Sequence, residues 1–341
     1  MRGLLVFTIS ILISLALNGS SLRETAFSRG LYPVPADLDS LIALYKGDFD
    51  IEKARLGKEL FFDPILSKDG SVSCASCHDF AKGGADAKAA AVGIGGAENP
   101  FHLNSPTVFN AALAKMLFWD GRAKSLAEQA AGPITAPFEM GLTPKEAVEK
   151  VSGSSYYAQR FEKLYNKAEI EFEDILDAIA MYEKTLLTRG DFDRFLEGDE
   201  TALNERAKRG LKLFMSIGCK GCHTGMSVGG QSIQKFPLRK YNWFNLKYEE
   251  KRGLYIDDSP YPFENLGGFW GKDGALRFRV PILRNVTKTA PYFHNGSVKE
   301  LKKAVEIMAR HQLGKELTKK EIEDIVEFLK SLEGSLVDYG I

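Results

Sequence analysis

Residues 51–80 read IEKARLGKELFFDPILSKDGSVSCASCHDF, and residues 204–225 read NERAKRGLKLFMSIGCKGCHTG. Both carry apolar residues at helical spacing, Ala54, Leu56, Leu60 and Phe61 in the first and Ala207, Leu211, Leu213 and Phe214 in the second. Both then run into Cys-x-x-Cys-His, at Cys74, Cys77 and His78 and again at Cys219, Cys222 and His223. In that pattern two thiols bond the vinyl groups of a haem and the imidazole ligates its iron. A redox-active Cys pair or half of a zinc site explains the cysteines, but not a histidine in the same place twice. With 4 cysteines and 5 histidines in 341 residues, one such string arises by chance in roughly one chain in a thousand. Two of them imply two covalent haem c groups, each with a helix before it and a loop after it.

The repeat predicts a mainly α fold of two cytochrome c-like haem domains in a duplicated arrangement. Further helices are expected between and beyond the two sites. Thr143, Pro144 and Glu146 form a capping box with proline at the first helical position, and Thr318 with Glu321 forms another. Helical patterns also run over Tyr157–Tyr165, Phe172–Leu187 and Val298–Ala309. Sustained strand alternation is missing, with short hairpins expected only around Trp243–Tyr255. The Gly- and Ala-dense stretch 81–106 and the stretch 225–237 read as loops, each just downstream of an attachment site. Polar residues between Arg189 and Asp199 place the boundary there, giving an N-terminal domain over 42–189 and a C-terminal one over 190–341, joined by segment 21–41.

The 45 basic and 45 acidic residues balance, which removes the electrostatic argument for nucleic-acid binding. At the start, Met1, Arg2 and Gly3 precede an apolar run from Leu4 to Leu17 and then Asn18, Gly19 and Ser20. This reads as an export signal over residues 1–20, too short for a comfortable membrane span. A retained anchor is the alternative, because no clean small-x-small cleavage site is present. Signal and cysteine usage together point to the periplasm.

Three further strings, NSPTVFNAAL (104–113), FWDGRA (118–123) and APYFHNGSVKEL (290–301), join the two attachment sites in a pattern that resembles the bacterial di-haem cytochrome c peroxidases. The resemblance runs from about Pro35 to Gly334. It implies reduction of hydrogen peroxide to water, with electrons delivered singly by a small cytochrome c or a cupredoxin. They would enter at the C-terminal haem and pass to the N-terminal, peroxidatic one. It also implies a homodimer and one calcium ion, at Asn104, Thr289 and Pro291, an oxygen donor set that suits a hard cation.

By the same resemblance Glu139, in APFEM, stands on the distal side of the first haem as the proton-transfer group, and Gln129 occupies another position of that pocket. Trp119 stands between the haems. Arg122 is either a haem-propionate contact or a surface ion pair. His78 and His223 are the proximal iron ligands, and Met308 aligns with the axial methionine of the second haem. Met226 lies too close to its attachment site to cross the ring. His294 matches a family histidine that does not ligate iron, and His311 reads as a surface residue one turn beyond Met308. Specialised relatives that oxidise tryptophans of a partner protein carry Tyr where Met308 stands. That oxidase, and a di-haem electron carrier with no enzymatic role, are the competing functions.

One departure from the pattern concerns the loop whose histidine usually caps the first iron in the oxidised enzyme. Counting back from NSPTVFNA, that position is Gly96. His102 follows six residues later, a possible distal ligand only if the loop rearranges, since six extended residues span up to roughly 20 Å. The expectation is a first haem that rests open.

Overall fold

The computed structural model describes residues 21–238 and 262–341. The export signal expected over 1–20 and the hairpins expected around Trp243–Tyr255 lie outside the described residues. The chain opens with α1 (Leu22–Ser28), α2 (Leu38–Leu44), α3 (Ile51–Phe62), the single turn α4 (Cys74–Cys77), α5 (Leu126–Thr135), α6 (Pro144–Gly153), α7 (Ser155–Tyr165) and α8 (Phe172–Glu183). Strand β1 (Thr188–Gly190) leads to α9 (Asp191–Leu196), α10 (Glu205–Ile217), β2 (Ile233–Lys235) and β3 (Arg277–Arg279). Last come α11 (Leu301–Ile307), a π-helical turn over Met308–Gln312, α12 (Lys319–Ser331) and β4 (Gly334–Leu336). The fold is mainly α, as expected. Among the described residues no helix is long and apolar enough to cross a membrane.

Local chemistry starts these helices where the sequence says it should. The Asp50 side chain accepts from Lys53 N at the head of α3, and Asn204 does the same for Ala207 N at the head of α10. Both expected capping boxes form, Thr143 with Glu146 on α6 and Thr318 with Glu321 on α12.

Two helix crossings organise the two haem units, and each is made at a glycine. A Cβ on Gly57 of α3 would lie 1.8 Å from the Ala178 carbonyl of α8, and one on Gly210 of α10 would lie 1.9 Å from the Asp324 carbonyl of α12. Only glycine permits backbones so close. Around the first crossing Leu56, Leu60, Ile134, Phe161 and Ile175 form one core. Around the second, Leu211, Phe214, Phe195, Ile325 and Phe328 form another.

Residues 21–41 pack on the second core and on a further apolar cluster. Ala26 and Leu31 are buried in the second, while Val34 and Leu41 pack with Leu187 and Tyr339. Returning from the other end, β4 pairs antiparallel with β1, and Arg55 and Lys58 of α3 donate to the main-chain oxygens of Gly340 (3.1 Å) and Ile341 (2.6 Å).

Two helices are shorter than expected. The one expected over 172–187 stops at Glu183, where the Thr185 hydroxyl turns back onto Tyr182 O at 2.7 Å and the Asn110 side chain takes the Thr188 N–H at 3.0 Å. The one expected over 298–309 begins at Leu301 and passes into the π turn at Met308.

Candidate functional site

At the first attachment string, α4 sets Cys74 and Cys77 one helical turn apart, and the His78 N–H closes that turn onto Cys74 O at 3.0 Å. Gly83 and Gly84, at φ +71° and +76°, fold the chain back so that His78 Nδ1 lies 3.1 Å from Gly84 O. That contact assigns the proton to Nδ1 and leaves Nε2 as the free donor atom, the arrangement a ligating imidazole requires. Burial pulls the His78 pKa down, with the Gly84 contact and Asp86 opposing. It pushes the Cys74 and Cys77 thiols up, to about 12 and about 11. A neutral imidazole beside protonated thiols fits thioether attachment and iron ligation. Glu183 at the end of α8 is 5% exposed, its Oε2 has no hydrogen-bond partner among the described residues, and burial lifts it to about 8.

Glu139 stands on the turn after α5, held by its main chain: Ile94 N donates to Glu139 O at 2.9 Å. Gly93 permits that contact, because a Cβ there would lie 2.2 Å from Phe138 O. The Glu139 carboxylate receives Asn99 Nδ2 at 3.5 Å, and its charge acts on the Cys77 thiol. Burial raises its pKa, while Arg122 and Asn99 pull the other way. The structure therefore brings Glu139 to the first attachment site, with Asn99 as a partner that local sequence did not flag.

Gln129 is half-buried on α5. Arg122 is exposed, paired with Asp120 at 3.0 Å, its guanidinium 3.5 Å over the Phe118 ring. His102 is in the left-handed region at φ +48°, tied through its N–H to Asn99 O at 2.8 Å. It packs against Gly267, and its Nε2 is buried without a hydrogen-bond partner among the described residues.

The second attachment string opens onto a cavity of about 220 Å³ lined by Cys219, Cys222, His223, Met308, Trp119 and Arg279, among others. His223 is buried and held down to about 4 by desolvation, the main chain at Val228 and Pro281 opposing. Met308 reaches the same cavity from the first residue of the π turn, a helical form that recurs at functional positions. Met226 lies elsewhere, packed with Val34, Leu41 and Tyr339. His311 corrects an expectation: it is buried, at 6% exposure, because the π turn rotates it inward instead of leaving it on the surface.

Trp119 and Asn104 connect the two sites. Trp119 Nε1 donates to Asn104 O at 2.8 Å, and its ring meets His294 edge-on at 6.4 Å. Asn104 Nδ2 donates to Lys88 O at 2.6 Å in the loop after the first site, and its N–H to His294 O at 2.8 Å beside the second.

The family profile described as di-haem cytochrome c peroxidase matches residues 51–201, and the cytochrome c profile matches 207–333. The cytochrome c551 peroxidase of Nitrosomonas europaea is 40% identical over 331 residues, covering 96% of this chain and 93% of the relative. This chain belongs to the di-haem cytochrome c peroxidase family. The cytochrome c551 peroxidase of Pseudomonas aeruginosa is 42% identical over 306 residues, covering 89% of this chain and 84% of the relative. Among solved structures, that of a MauG-like protein associated with microbial copper homeostasis superposes with a TM-score of 0.70 at 25% identity, over 90% of this chain and 94% of that one.

Members of the di-haem peroxidase family carry covalent haem c, and the cavity at the second attachment string suits that group. A calcium ion would need a different donor set. No group of three or more His, Cys, Asp or Glu among the described residues is placed to hold a metal. Asn104, Thr289 and Pro291 all line the second cavity. Asn104 can offer its side-chain oxygen, while its main-chain oxygen accepts from Trp119 Nε1.

Proposed function

We propose that the protein reduces hydrogen peroxide to two waters, taking electrons singly from a small cytochrome c or cupredoxin at the haem on Cys219, Cys222 and His223 and passing them to the haem on Cys74, Cys77 and His78. One observation carries this reading: the two attachment sites are unlike. The second places a thioether, Met308, in the same cavity as His223, a pair suited to a six-coordinate electron carrier. The first has a half-buried carboxylate of raised proton affinity close enough to act on Cys77, which suits proton transfer.

The haems, when bound, supply the iron that takes up peroxide and the iron that stores an electron. The chain's own work is positional and protic. Glu139 takes the proton from the near peroxide oxygen and returns it to the departing one, with Asn99 orienting it and Gln129 beside it in the pocket. Trp119, fixed through Asn104, lies on the route between the haems. Calcium at Asn104, Thr289 and Pro291 would stiffen the same junction. The reading keeps an N-terminal haem domain over 42–189 and a C-terminal one over 190–341, with 21–41 as the strap. Export to the periplasm and a homodimer complete the reading.

The test is peroxide-dependent oxidation of a reduced small cytochrome by the protein carrying two haems. A di-haem electron carrier gives no turnover. Because Gly96 stands at the capping position and His102 is tethered to Asn99, the fully ferric protein should show one high-spin haem, bind cyanide and react with peroxide before any reductant is added. His102→Ala should leave that spectrum unchanged. A wholly low-spin ferric protein that turns partly high-spin only in H102A would make His102 the sixth ligand.

A second expected result concerns Met308. A thioether favours ferrous iron relative to imidazole, so Met308→His should lower the potential of the second haem and abolish its near-infrared Met-to-iron band. Retention of both would remove Met308 from the iron.

A further inference from the structure

Arg279 ends β3 with its side chain 4% exposed. Alternation along a strand would turn one of two neighbours outward, yet Phe278 and Arg279 are both buried while Arg277 is exposed. Two hydrogen bonds fix it against the Trp119 segment: its N–H donates to Trp119 O at 2.8 Å and its Nε to Phe118 O at 3.0 Å. That leaves the outer edge of the guanidinium, whose Nη1 is buried with no partner among the described residues. The residue lines the cavity that also holds Cys219, Cys222, His223 and Met308.

A buried cation without a counter-charge is strongly disfavoured. Elsewhere this chain supplies one: the fully buried Arg284 has Asp193, and the exposed Arg122 has Asp120. No carboxylate forms an ion pair with Arg279 among the described residues. Among the described residues nothing supplies that anion, whereas a haem in the cavity would bring two propionate carboxylates whose planar geometry matches the guanidinium fork.

We propose that Arg279 binds a propionate of the haem attached at Cys219 and Cys222, holding that carboxylate against the Trp119 segment and raising that haem's potential. This rests on reading Cys219–His223 as a haem attachment site. Arg279 is a positioning and charge-setting residue, not a catalytic one. Its positive charge favours the ferrous state, and it keeps the propionate ionised across neutral pH. The other charged or titratable groups around it are Arg277 and Lys235 on the paired strands, Asp120 and Arg122 beyond Trp119, and His223 and His294 on the cavity walls. Both histidines are held neutral by burial.

The experiment uses the haem-loaded protein and its R279M and R279K variants, with haem counted per chain before potentials are measured. One haem in the wild type would overturn the attachment reading itself. With two present, R279M should show a lower potential at the second haem, now falling with rising pH as the unpaired propionate ionises, and R279K should lie between. An R279M protein with two haems and the wild-type potential and pH profile overturns the proposal. Should R279M fail to fold or to take up haem, R279K and the wild type decide. The proposal requires a shifted propionate bending band in the resonance Raman spectrum of R279K, and an unshifted band overturns it. It also requires a wild-type potential that is the same in chloride, phosphate and sulfate at fixed ionic strength. A potential that follows the anion would assign the guanidinium to a free anion instead, and overturn it.

Discussion

Replacing Glu139 by Gln should lower kcat/KM for peroxide by about two to four orders of magnitude with both haems retained, the range general acid–base catalysis commonly contributes. Gln keeps the size of the side chain and a carbonyl oxygen for Asn99, so the loss isolates the proton acceptor. The pH dependence gives a separate check. Burial lifts the Glu139 pKa above its ordinary value of 4.5. The wild-type rate should therefore rise with pH through that raised value as the base form appears, and E139Q should lack this limb. Arg122 pulls the same pKa down, so Arg122→Ala should move the limb to higher pH.

Stability should change in the opposite sense. A carboxyl whose folded-state pKa exceeds its unfolded value favours the fold at low pH and loses that contribution as pH rises through the folded pKa. E139Q should melt above the wild type at neutral pH, with the gap closing as the medium is acidified. A wild-type rate in E139Q would assign proton transfer to another group.

Arg284→Met should destabilise the protein by about 3 to 5 kcal/mol, the cost of leaving one member of a buried ion pair alone. The pair is bidentate, at 2.7 and 2.8 Å, with both side chains at 0% exposure. Asp193 also accepts from Val34 N and Gly190 N, each at 2.9 Å, and Arg284 Nε donates to Met226 O. One carboxylate thus holds the 21–41 strap, the turn into α9 and the loop beyond the second attachment site. The loss should appear in denaturant unfolding followed by circular dichroism, together with earlier proteolysis around Val34. Pairing it with Asp193→Asn should recover part of the loss, because the stranded charge is then gone while an amide oxygen remains for Val34 N. A single variant as stable as the wild type would show that the pair is not the tie it resembles.

What could be read from the sequence was local. Cys-x-x-Cys-His is contiguous, and the capping residues Thr143 with Glu146 and Thr318 with Glu321 lie within one turn of each other, so neither needs the fold to be seen. The duplication was visible as two similar strings. The glycine crossings that give it physical meaning were not, because Gly57 and Gly210 matter only through carbonyls more than a hundred residues away. Asn99 and Arg279 were missed for the same reason: an amide in a loop and an arginine in a short strand look ordinary until burial removes water from them. The π turn at Met308 shows a different limit. Helical spacing predicted the helix, but one widened turn swings His311 from surface to interior and sets where Met308 points.

The contacts of residues 334–341 tie the end of the chain to the first haem unit. Helix α3 gains partners at Gly340 and Ile341, and β1 gains β4. Loss of this tail should loosen the first unit, while the second core, which draws on nothing beyond Leu332, keeps its packing.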